Sequence, residues 1–284
     1  MEWIIVTDSG CDLLPGELAP NVHLRRVPLS ILLGAEEWVD GADMDRERFL
    51  TAMEAYKGKS SSACPSPETW ARAFSEGDHV IAITITGGLS GSYNSALLGR
   101  DLLWEKQPHK PVYVLDSRSA GAEIALLVFR ACELIARGLP FEQVTQQLWL
   151  YHQHTHLLFL LEHVDNFVKN GRLNKLVAAT IGMLGVRILG CASEHGTLQP
   201  LMKPRGAARG LDLLVRELER AGYAGGQLAI THVQNEEGAA RLASLIREVW
   251  PGAPCLLLPA SGLCSYYGEK HGLIVGFEDG QAKN

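Results

Sequence analysis

The chain has 284 residues, of which 46% are hydrophobic and 20% are charged, and its formal net charge is −6. This length is enough for two domains that each bury a core, and an acidic chain without a basic, aromatic-rich stripe does not suit a nucleic-acid partner. The apolar run at residues 3–6 is too short for a signal peptide, and no uncharged stretch reaches the length of a membrane span. We therefore expect a cytoplasmic protein.

Strands and helices are predicted to alternate through the first half of the chain. Short β-branched runs indicate strands, and apolar residues at helical spacing indicate helices between them. The predicted strands are residues 3–6, 27–33, 80–85 and 112–115, and the predicted helices follow residues 45 and 66 and end at residues 104 and 136. This alternation predicts an α/β domain over residues 1–155, with a mostly parallel sheet flanked by helices.

The second half, residues 156–284, is predicted to form a second α/β domain with a mixed sheet. An apolar segment at residues 178–189 contains Gly182 and Gly185, which allow close packing. The other predicted elements are strands at 157–161, 227–232, 255–259 and 273–277, a hairpin at 191–202, and helices at 211–221 and 236–249.

Neither the cysteines nor the histidines have the spacing of a metal site. The six cysteines include no CxxC pair and are expected to be reduced thiols. His152, His154 and His156 alternate, and on a strand they would share one face. Because no carboxylate or cysteine cluster with ligand spacing accompanies them, we interpret them as partly exposed strand histidines.

Residues 83–96, with the sequence ITITGGLSGSYNSA, combine the end of a strand, a glycine turn and the start of a helix. The first N–H groups of a helix have no partner within it, and glycines let a ligand approach the backbone, so this junction suits an anionic group. Ser90 and Ser92 would add hydroxyl donors on either side of Gly91. The alternative is that Ser90 or Ser92 only caps the helix. The segment alone leaves both readings open.

Two further polar segments are candidates for the same cleft. Asp8 and Ser9 follow the first strand, and ligands bind at the carboxyl ends of strands in open α/β sheets. The alternative is again a cap, because Ser9 or Asp12 could begin a short helix at residues 13–18. The serine run at residues 60–62 is either a linker or a second wall of the cleft.

Seven short segments are spread in order over nearly the whole chain. They are VTDSGCDL, SACPSP, TGGLSGSYNSA, VLDSRSAG, VKNGRLNK, KPRGAARGLD and ITHVQNEEGA. Their order and spacing resemble the DegV family, whose members include the fatty-acid-binding subunits of the bacterial fatty acid kinase system. The resemblance implies a two-domain α/β fold with a long-chain fatty acid buried at or near the domain junction, and no other cofactor.

The resemblance also implies roles for particular residues. Ser62 stands where the family usually has threonine, and Ser62 and Ser90 would hydrogen-bond the fatty acid carboxylate, with Gly91 beside them. Arg172 and Arg205 match family arginines and would contact the partner, an ATP-dependent fatty acid kinase. Both arginines lie in loop-like sequence where a guanidinium would face solvent. From the residues alone, a solvated arginine or a local ion pair is the alternative.

Two departures from the family pattern concern the ligand. A histidine-containing, GTHTGPGALG-like segment of the family corresponds here to GLCSYYGEKHGLIVGF. Tyr266 replaces that histidine, or Tyr267 if the gap falls differently, and His271 could serve after a change of register. Glu123 and Ala125 replace glycines that usually follow the DS motif. Since the carboxylate of Glu123 would repel a ligand carboxylate, either it faces away or the ligand differs.

Three function classes follow. The leading hypothesis is a carrier that presents a fatty acid to a kinase, which then forms the acyl phosphate; the chain itself has no GxxxxGK[ST] loop for ATP. The second is a hydrolase with Ser90 or Ser62 as nucleophile and His232 or His271 as base, although Ser90 does not lie in a GxSxG motif. The third is a lipid-binding regulator without a kinase partner.

Overall fold

The computed structural model describes residues 2–179, 181 and 185–282, so Gly182 of the predicted apolar segment lies outside the described residues. The strands are β1 (Trp3–Asp8), β2 (Gly16–Ala19), β3 (Val22–Val27), β4 (Ser30–Leu33), β5 (Glu36–Val39), β6 (Ser60–Ala63), β7 (His79–Thr84), β8 (Val112–Asp116), β9 (Thr155–Leu161), β10 (Ile188–Ala192), β11 (Leu198–Met202), β12 (Tyr223–His232), β13 (Cys255–Pro259) and β14 (Leu273–Asp279). The helices are α1 (Arg46–Ala55), α2 (Pro67–Phe74), α3 (Ser92–Trp104), α4 (Ala122–Ala136), α5 (Phe141–His152), α6 (Asp165–Lys169), α7 (Lys175–Ala178), α8 (Ala207–Arg220), α9 (Glu236–Val249) and α10 (Gly262–Gly268).

The first sheet has the strand order β2-β3-β1-β7-β8. β1 pairs in parallel with β3 and β7, and β7 pairs in parallel with β8, whereas β2 is antiparallel to β3. Every residue of the central strand β1 is buried, as expected for a parallel sheet that is covered on both faces. The mostly parallel N-terminal sheet predicted from the sequence is therefore confirmed.

The strand predicted at residues 27–33 is instead two strands in two sheets. β3 ends at Val27, and β4 begins at Ser30 in a small antiparallel sheet with the order β5-β4-β6. Pro28 between them has no N–H to give to a ladder, and the next N–H, that of Leu29, donates to Ser9 Oγ at 3.0 Å. The chain therefore leaves the first sheet at this proline.

Two alternatives that the sequence left open are excluded. The segment predicted as a short helix at residues 13–18 contains the strand β2, so neither Ser9 nor Asp12 caps a helix there. The serine run at residues 60–62 is no linker, because it forms most of β6 and pairs with β4. In both cases pairing with a distant strand decided the conformation, which local sequence does not show.

The second sheet has the order β11-β10-β9-β14-β12-β13 and is mixed, as predicted. β12 pairs in parallel with β13, and the other neighbours are antiparallel. β9 begins this sheet at Thr155, next to the boundary predicted between residues 155 and 156. The division into domains 1–155 and 156–284 stays a proposal.

The two larger sheets are stacked with helices between and outside them. α2 and α3 cover the outer face of the first sheet, and α8 and α9 cover the outer face of the second. α4 lies between the sheets and contacts strands of both. The largest apolar cluster fills this central layer and includes Ile5 and Ile83 from the first sheet, Ile124 from α4, and Leu157 and Phe159 from the second.

The three alternating histidines do not share a strand face. His152 ends α5, His154 lies in the following turn, and His156 is in β9. The rings of His154 and His156 both contact Asp279 Oδ2, at 3.4 and 3.0 Å. Within residues 2–179, 181 and 185–282, no group of three or more His, Cys, Asp or Glu side chains could hold a metal ion. Among the helices in those ranges, none is both long and apolar enough to span a membrane.

Gly276 in β14 sets how closely α4 approaches the second sheet. A Cβ at this position would stand 2.3 Å from Glu123 N and 2.4 Å from Glu123 Cα, and these backbone atoms cannot yield without moving α4. We expect Gly276→Ala to lower the free energy of unfolding by about 3 kcal/mol in a denaturant titration. Gly41→Ala is the matched control, since its Cβ would meet open space, and should change stability by less than about 1 kcal/mol. Equal stability of the two variants would contradict the close contact.

Candidate functional site

An apolar cavity of about 800 Å³, including the part open to solvent, lies between the two larger sheets. Its size is in the range of small-molecule sites. Both halves of the chain contribute to its walls, and most of the lining side chains are aliphatic or aromatic. Among them are Ile85, Leu157, Phe159, Leu161, Leu198 and Ile274.

Three hydrogen-bonded polar residues, Ser62, Arg172 and Tyr267, form part of the cavity wall and are called the polar cluster below. The hydroxyls of Ser62 and Tyr267 share a hydrogen bond at 2.8 Å. Arg172 Nη1 donates to the Tyr267 hydroxyl, and its guanidinium carbon lies 5.1 Å from the centre of the Tyr267 ring. Arg172 Nε donates to the Leu89 carbonyl at 2.7 Å. Burial raises the pKa of Tyr267, so its hydroxyl keeps its proton at neutral pH.

Ser90 also lines the cavity, at the start of α3. Its Oγ accepts a hydrogen bond from Ser92 N at 3.2 Å, and Gly91 is the N-cap residue of α3 and provides no side-chain cap. Ser90 therefore accepts from the helix terminus and also lines the cavity, and its contact with a ligand stays a prediction. The positive end of the α3 dipole lies beside the polar groups of the wall.

Asp8, Ser9 and Ser92 are buried and do not line the cavity. Asp8 accepts from Ser92 Oγ at 2.5 Å and from Ile85 N and Gly10 N at 3.0 Å each. Ser9 Oγ accepts from Leu29 N, and the Ser9 carbonyl accepts from Ser261 Oγ at 2.7 Å. These hydrogen bonds connect the loops that surround the cavity to one another.

Two further carboxylates, not identified as site residues from the sequence, anchor α10. Asp40 accepts from Gly262 N at 3.0 Å and from Leu263 N at 2.8 Å, which satisfies two of the N-terminal donors of this helix. Asp12 accepts from Ser261 N at 2.7 Å and from Thr231 Oγ1 at 2.6 Å. Asp12 lies in the VTDSGCDL segment, but its partners Thr231 and Ser261 are distant in the sequence and are brought to it only by the fold.

Comparison with known proteins identifies the family. Residues 2–273 match the family described as an uncharacterised protein, DegV family. A DegV domain-containing protein of Streptococcus gordonii is 42% identical over 281 residues, which cover 99% of this chain and 100% of that protein. The chain belongs to the DegV family.

Two solved structures match this chain closely. The fatty acid kinase B3 protein of Streptococcus pneumoniae, loaded with linoleic acid, is 43% identical with a TM-score of 0.95 and coverage of 98% of this chain and 99% of that one. A DegV family protein of Eubacterium eligens, loaded with heptadecanoic acid, is 38% identical with a TM-score of 0.93 and coverage of 98% and 99%. The DegV fold therefore extends over the chain.

Adjacent tyrosines of α10 have different environments in this DegV protein. Tyr267 lines the cavity, whereas Tyr266 does not and is fully buried. The Tyr266 hydroxyl donates to Ser60 Oγ at 2.7 Å and accepts from Asn170 Nδ2 at 2.9 Å. Of the two tyrosines that the sequence leaves open, Tyr267 is therefore the one at the cavity wall.

The two histidines considered as catalytic bases lie outside the cavity wall of this DegV protein. His271 Nδ1 is 3.2 Å from Glu162 Oε2. His232 Nδ1 accepts from Asn235 N at 3.5 Å, and burial lowers the pKa of its ring. No histidine is among the described residues that line the cavity, so this part of the chain offers no serine–histidine pair there.

Glu123 faces away from the cavity, which is the first of the two alternatives stated for it. Its Oε2 accepts from Ser119 Oγ at 2.5 Å, its Oε1 accepts from Thr155 Oγ1 at 2.7 Å, and it does not line the cavity. Burial raises the pKa of this carboxyl. Ala125 is buried in α4 within the central apolar cluster.

Of the two loop arginines expected to face solvent, Arg205 does so and Arg172 does not. Arg172 lies in the cavity wall, because the Tyr267 hydroxyl and the Leu89 carbonyl hold its guanidinium. Arg205 is exposed and precedes Gly206, the N-cap residue of α8, which has a φ of 84°. Of these two arginines, Arg172 is the one that lines the cavity.

Burial raises the pKa of Asp8 from 3.8 to about 6. The folded state therefore binds this proton more tightly than the unfolded chain, and the resulting stability, about 3 kcal/mol, is lost as the pH rises from about 4 through about 6. We expect the free energy of unfolding of the natural protein to fall relative to that of Asp8→Asn over this pH range in denaturant titrations.

The comparison uses the change in the free energy of unfolding with pH and not its absolute value. Asparagine cannot accept all three hydrogen bonds of Asp8, so the variant is less stable at every pH. Asp212→Asn removes an exposed carboxylate and serves as the control, with a slope like that of the natural protein. If the free energy of unfolding of Asp8→Asn changed with pH as that of the natural protein does, the pKa of Asp8 would not be raised by folding.

Proposed function

We propose that this protein binds a long-chain fatty acid in the cavity and presents its carboxylate to an ATP-dependent fatty acid kinase, which forms the acyl phosphate. The observation that carries the proposal is a predominantly apolar cavity whose wall also holds the polar cluster and Ser90. In this proposal the chain binds and orients the substrate, and the kinase partner performs the phosphoryl transfer.

The apolar walls would supply most of the affinity. Burial of an acyl chain contributes about 0.8 kcal/mol for each CH2 removed from water. Side chains such as Phe159 and Ile274 line the cavity and also belong to the central apolar cluster, so packing within that cluster holds them in place without a ligand. A preformed cavity lowers the entropy lost on binding.

The polar cluster and Ser90 would receive the carboxylate. A carboxylate that leaves water costs several kcal/mol unless hydrogen-bond donors replace its hydration. Ser62, Ser90 and Tyr267 offer hydroxyl donors, and Arg172 adds a positive charge. Arg172 and Tyr267 already hold each other in place, so little ordering would be needed when the ligand binds.

The solved relatives support the same ligand class. The Streptococcus pneumoniae and Eubacterium eligens structures contain linoleic and heptadecanoic acid, both long-chain carboxylic acids. The first of these proteins is described as part of a fatty acid kinase, which supports a kinase partner for this chain. A hydrolase has no comparable support, because no histidine stands at the described wall near Ser62 or Ser90.

We expect native mass spectrometry of the protein purified from bacteria to show one bound fatty acid per chain, identified after denaturing extraction. The double variant Ser62→Ala/Ser90→Ala loses two hydroxyl donors to the carboxylate, so its Kd for linoleic acid should rise by about 100-fold in a lipid titration.

Ser244→Ala is the control for the double variant, because this exposed hydroxyl in α9 donates only to the Ala240 carbonyl. Its affinity for the fatty acid should be unchanged. A natural protein that carries no fatty acid and binds none in titration would refute the proposed ligand, and an unchanged Kd in the double variant would refute the assigned donors.

Arg205 is the better test of the kinase contact, since substitution of Arg172 would also disturb the cavity wall. We expect Arg205→Ala to keep its affinity for linoleic acid and to raise the KM of a purified fatty acid kinase for the loaded protein by about 10-fold or more. Acyl phosphate formation measures the KM. Arg241→Ala removes an exposed arginine of α9 and should leave both quantities unchanged. A normal KM for Arg205→Ala would exclude Arg205 from the contact.

A further inference from the structure

The polar cluster is assembled from three segments that are far apart in the sequence. Ser62 is in β6, Arg172 follows α6, and Tyr267 is in α10. Local backbone hydrogen bonds cannot set the distances among these side chains, so tertiary contacts must hold the three segments in place relative to one another.

The Tyr266 side chain joins these same three segments. Its hydroxyl donates to Ser60 Oγ in β6 at 2.7 Å and accepts from Asn170 Nδ2, just after α6, at 2.9 Å. Its own carbonyl, in α10, accepts from Asn166 Nδ2 at 2.8 Å. Asn166 Oδ1 in turn accepts from Ser60 Oγ at 3.4 Å, which closes the network.

Each network residue stands close in sequence to a member of the polar cluster. Ser60 and Ser62 are two apart on a strand, so their side chains share one face, and both are half-buried while the residue between them is exposed. Asn170 precedes Arg172 by two residues. Tyr266 is the neighbour of Tyr267, and the two rings are 4.8 Å apart at an interplanar angle of 77°.

We infer that Tyr266 is a positioning residue for carboxylate recognition, which acts by holding Ser62, Arg172 and Tyr267 at the distances that a carboxylate needs. This inference rests on the proposed function. Tyr266 does not touch the ligand, because it does not line the cavity. Its hydroxyl donates once and accepts once, so phenylalanine would leave the Ser60 and Asn170 side chains without this shared partner.

The test compares an acid with its ester. Full-length protein, stripped of lipid, is titrated with linoleic acid and with methyl linoleate, which has the same chain but no carboxylate. We expect Tyr266→Phe to weaken binding of the acid by about 10-fold and to change binding of the ester by less than about 2-fold, since the apolar walls are unchanged. A merely structural role would weaken both ligands equally.

Tyr223→Phe is the matched control. Tyr223 is buried on the far side of the second sheet, where its hydroxyl donates to the Gly226 carbonyl at 2.9 Å. The substitution removes one buried hydroxyl outside the polar cluster, so the ratio of acid to ester affinity should stay at the value of the natural protein. Ser60→Ala breaks the same network from β6 and should lower the ratio as Tyr266→Phe does, so the inference is also tested if Tyr266→Phe does not fold.

The outcomes separate this inference from the proposed function. Suppose that the natural protein binds linoleic acid but that Tyr266→Phe leaves the ratio of acid to ester affinity unchanged. The positioning role is then wrong and the fatty acid site stands. The same conclusion holds for Ser60→Ala if that variant is measured instead. If the natural protein does not bind linoleic acid, the proposed function fails, and the positioning role fails with it.

Discussion

The burial of α4 between the two larger sheets is the constraint on which the rest of the structure depends. Most of this helix is apolar and buried, and each sheet turns an apolar face towards it. Protein interiors are close-packed, so the apolar cavity between the same two sheets leaves its lining side chains without contacts on one side. In the proposed function, an acyl chain restores those contacts.

Buried carboxylates connect the two halves of the chain around that cavity. Asp12 bonds to Thr231 and Ser261, and Asp40 bonds to the first N–H groups of α10. Because a buried carboxylate is costly unless several donors satisfy it, these contacts require the C-terminal segment to sit in one position. The position of α10 in turn places Tyr267 at the cavity wall.

Several features of the site could be read from the sequence because they depend on neighbouring residues. The glycine turn before α3 and the hydroxyls of Ser62 and Ser90 were identified from residue type, spacing and family pattern, and the structure puts both serines at the cavity. The two tyrosines show the limit of this reasoning. Neighbouring residues of a helix point about 100° apart, so an alignment that is uncertain by one position cannot say whether Tyr266 or Tyr267 lines a cavity.

The sequence by itself determined the alternation of strands and helices in the first half, the mostly parallel first sheet, the mixed second sheet and the DegV family, because periodicity and motifs are local properties of the chain. Only the tertiary structure decided the break at Pro28, the buried hydrogen bonds of Glu123 away from the cavity wall, and the position of Arg172 in that wall. Each of these depends on a partner that is distant in the sequence, such as Thr155 for Glu123 and Tyr267 for Arg172. The packing of the sheets determines which distant groups come into contact, and a local sequence pattern does not predict those contacts.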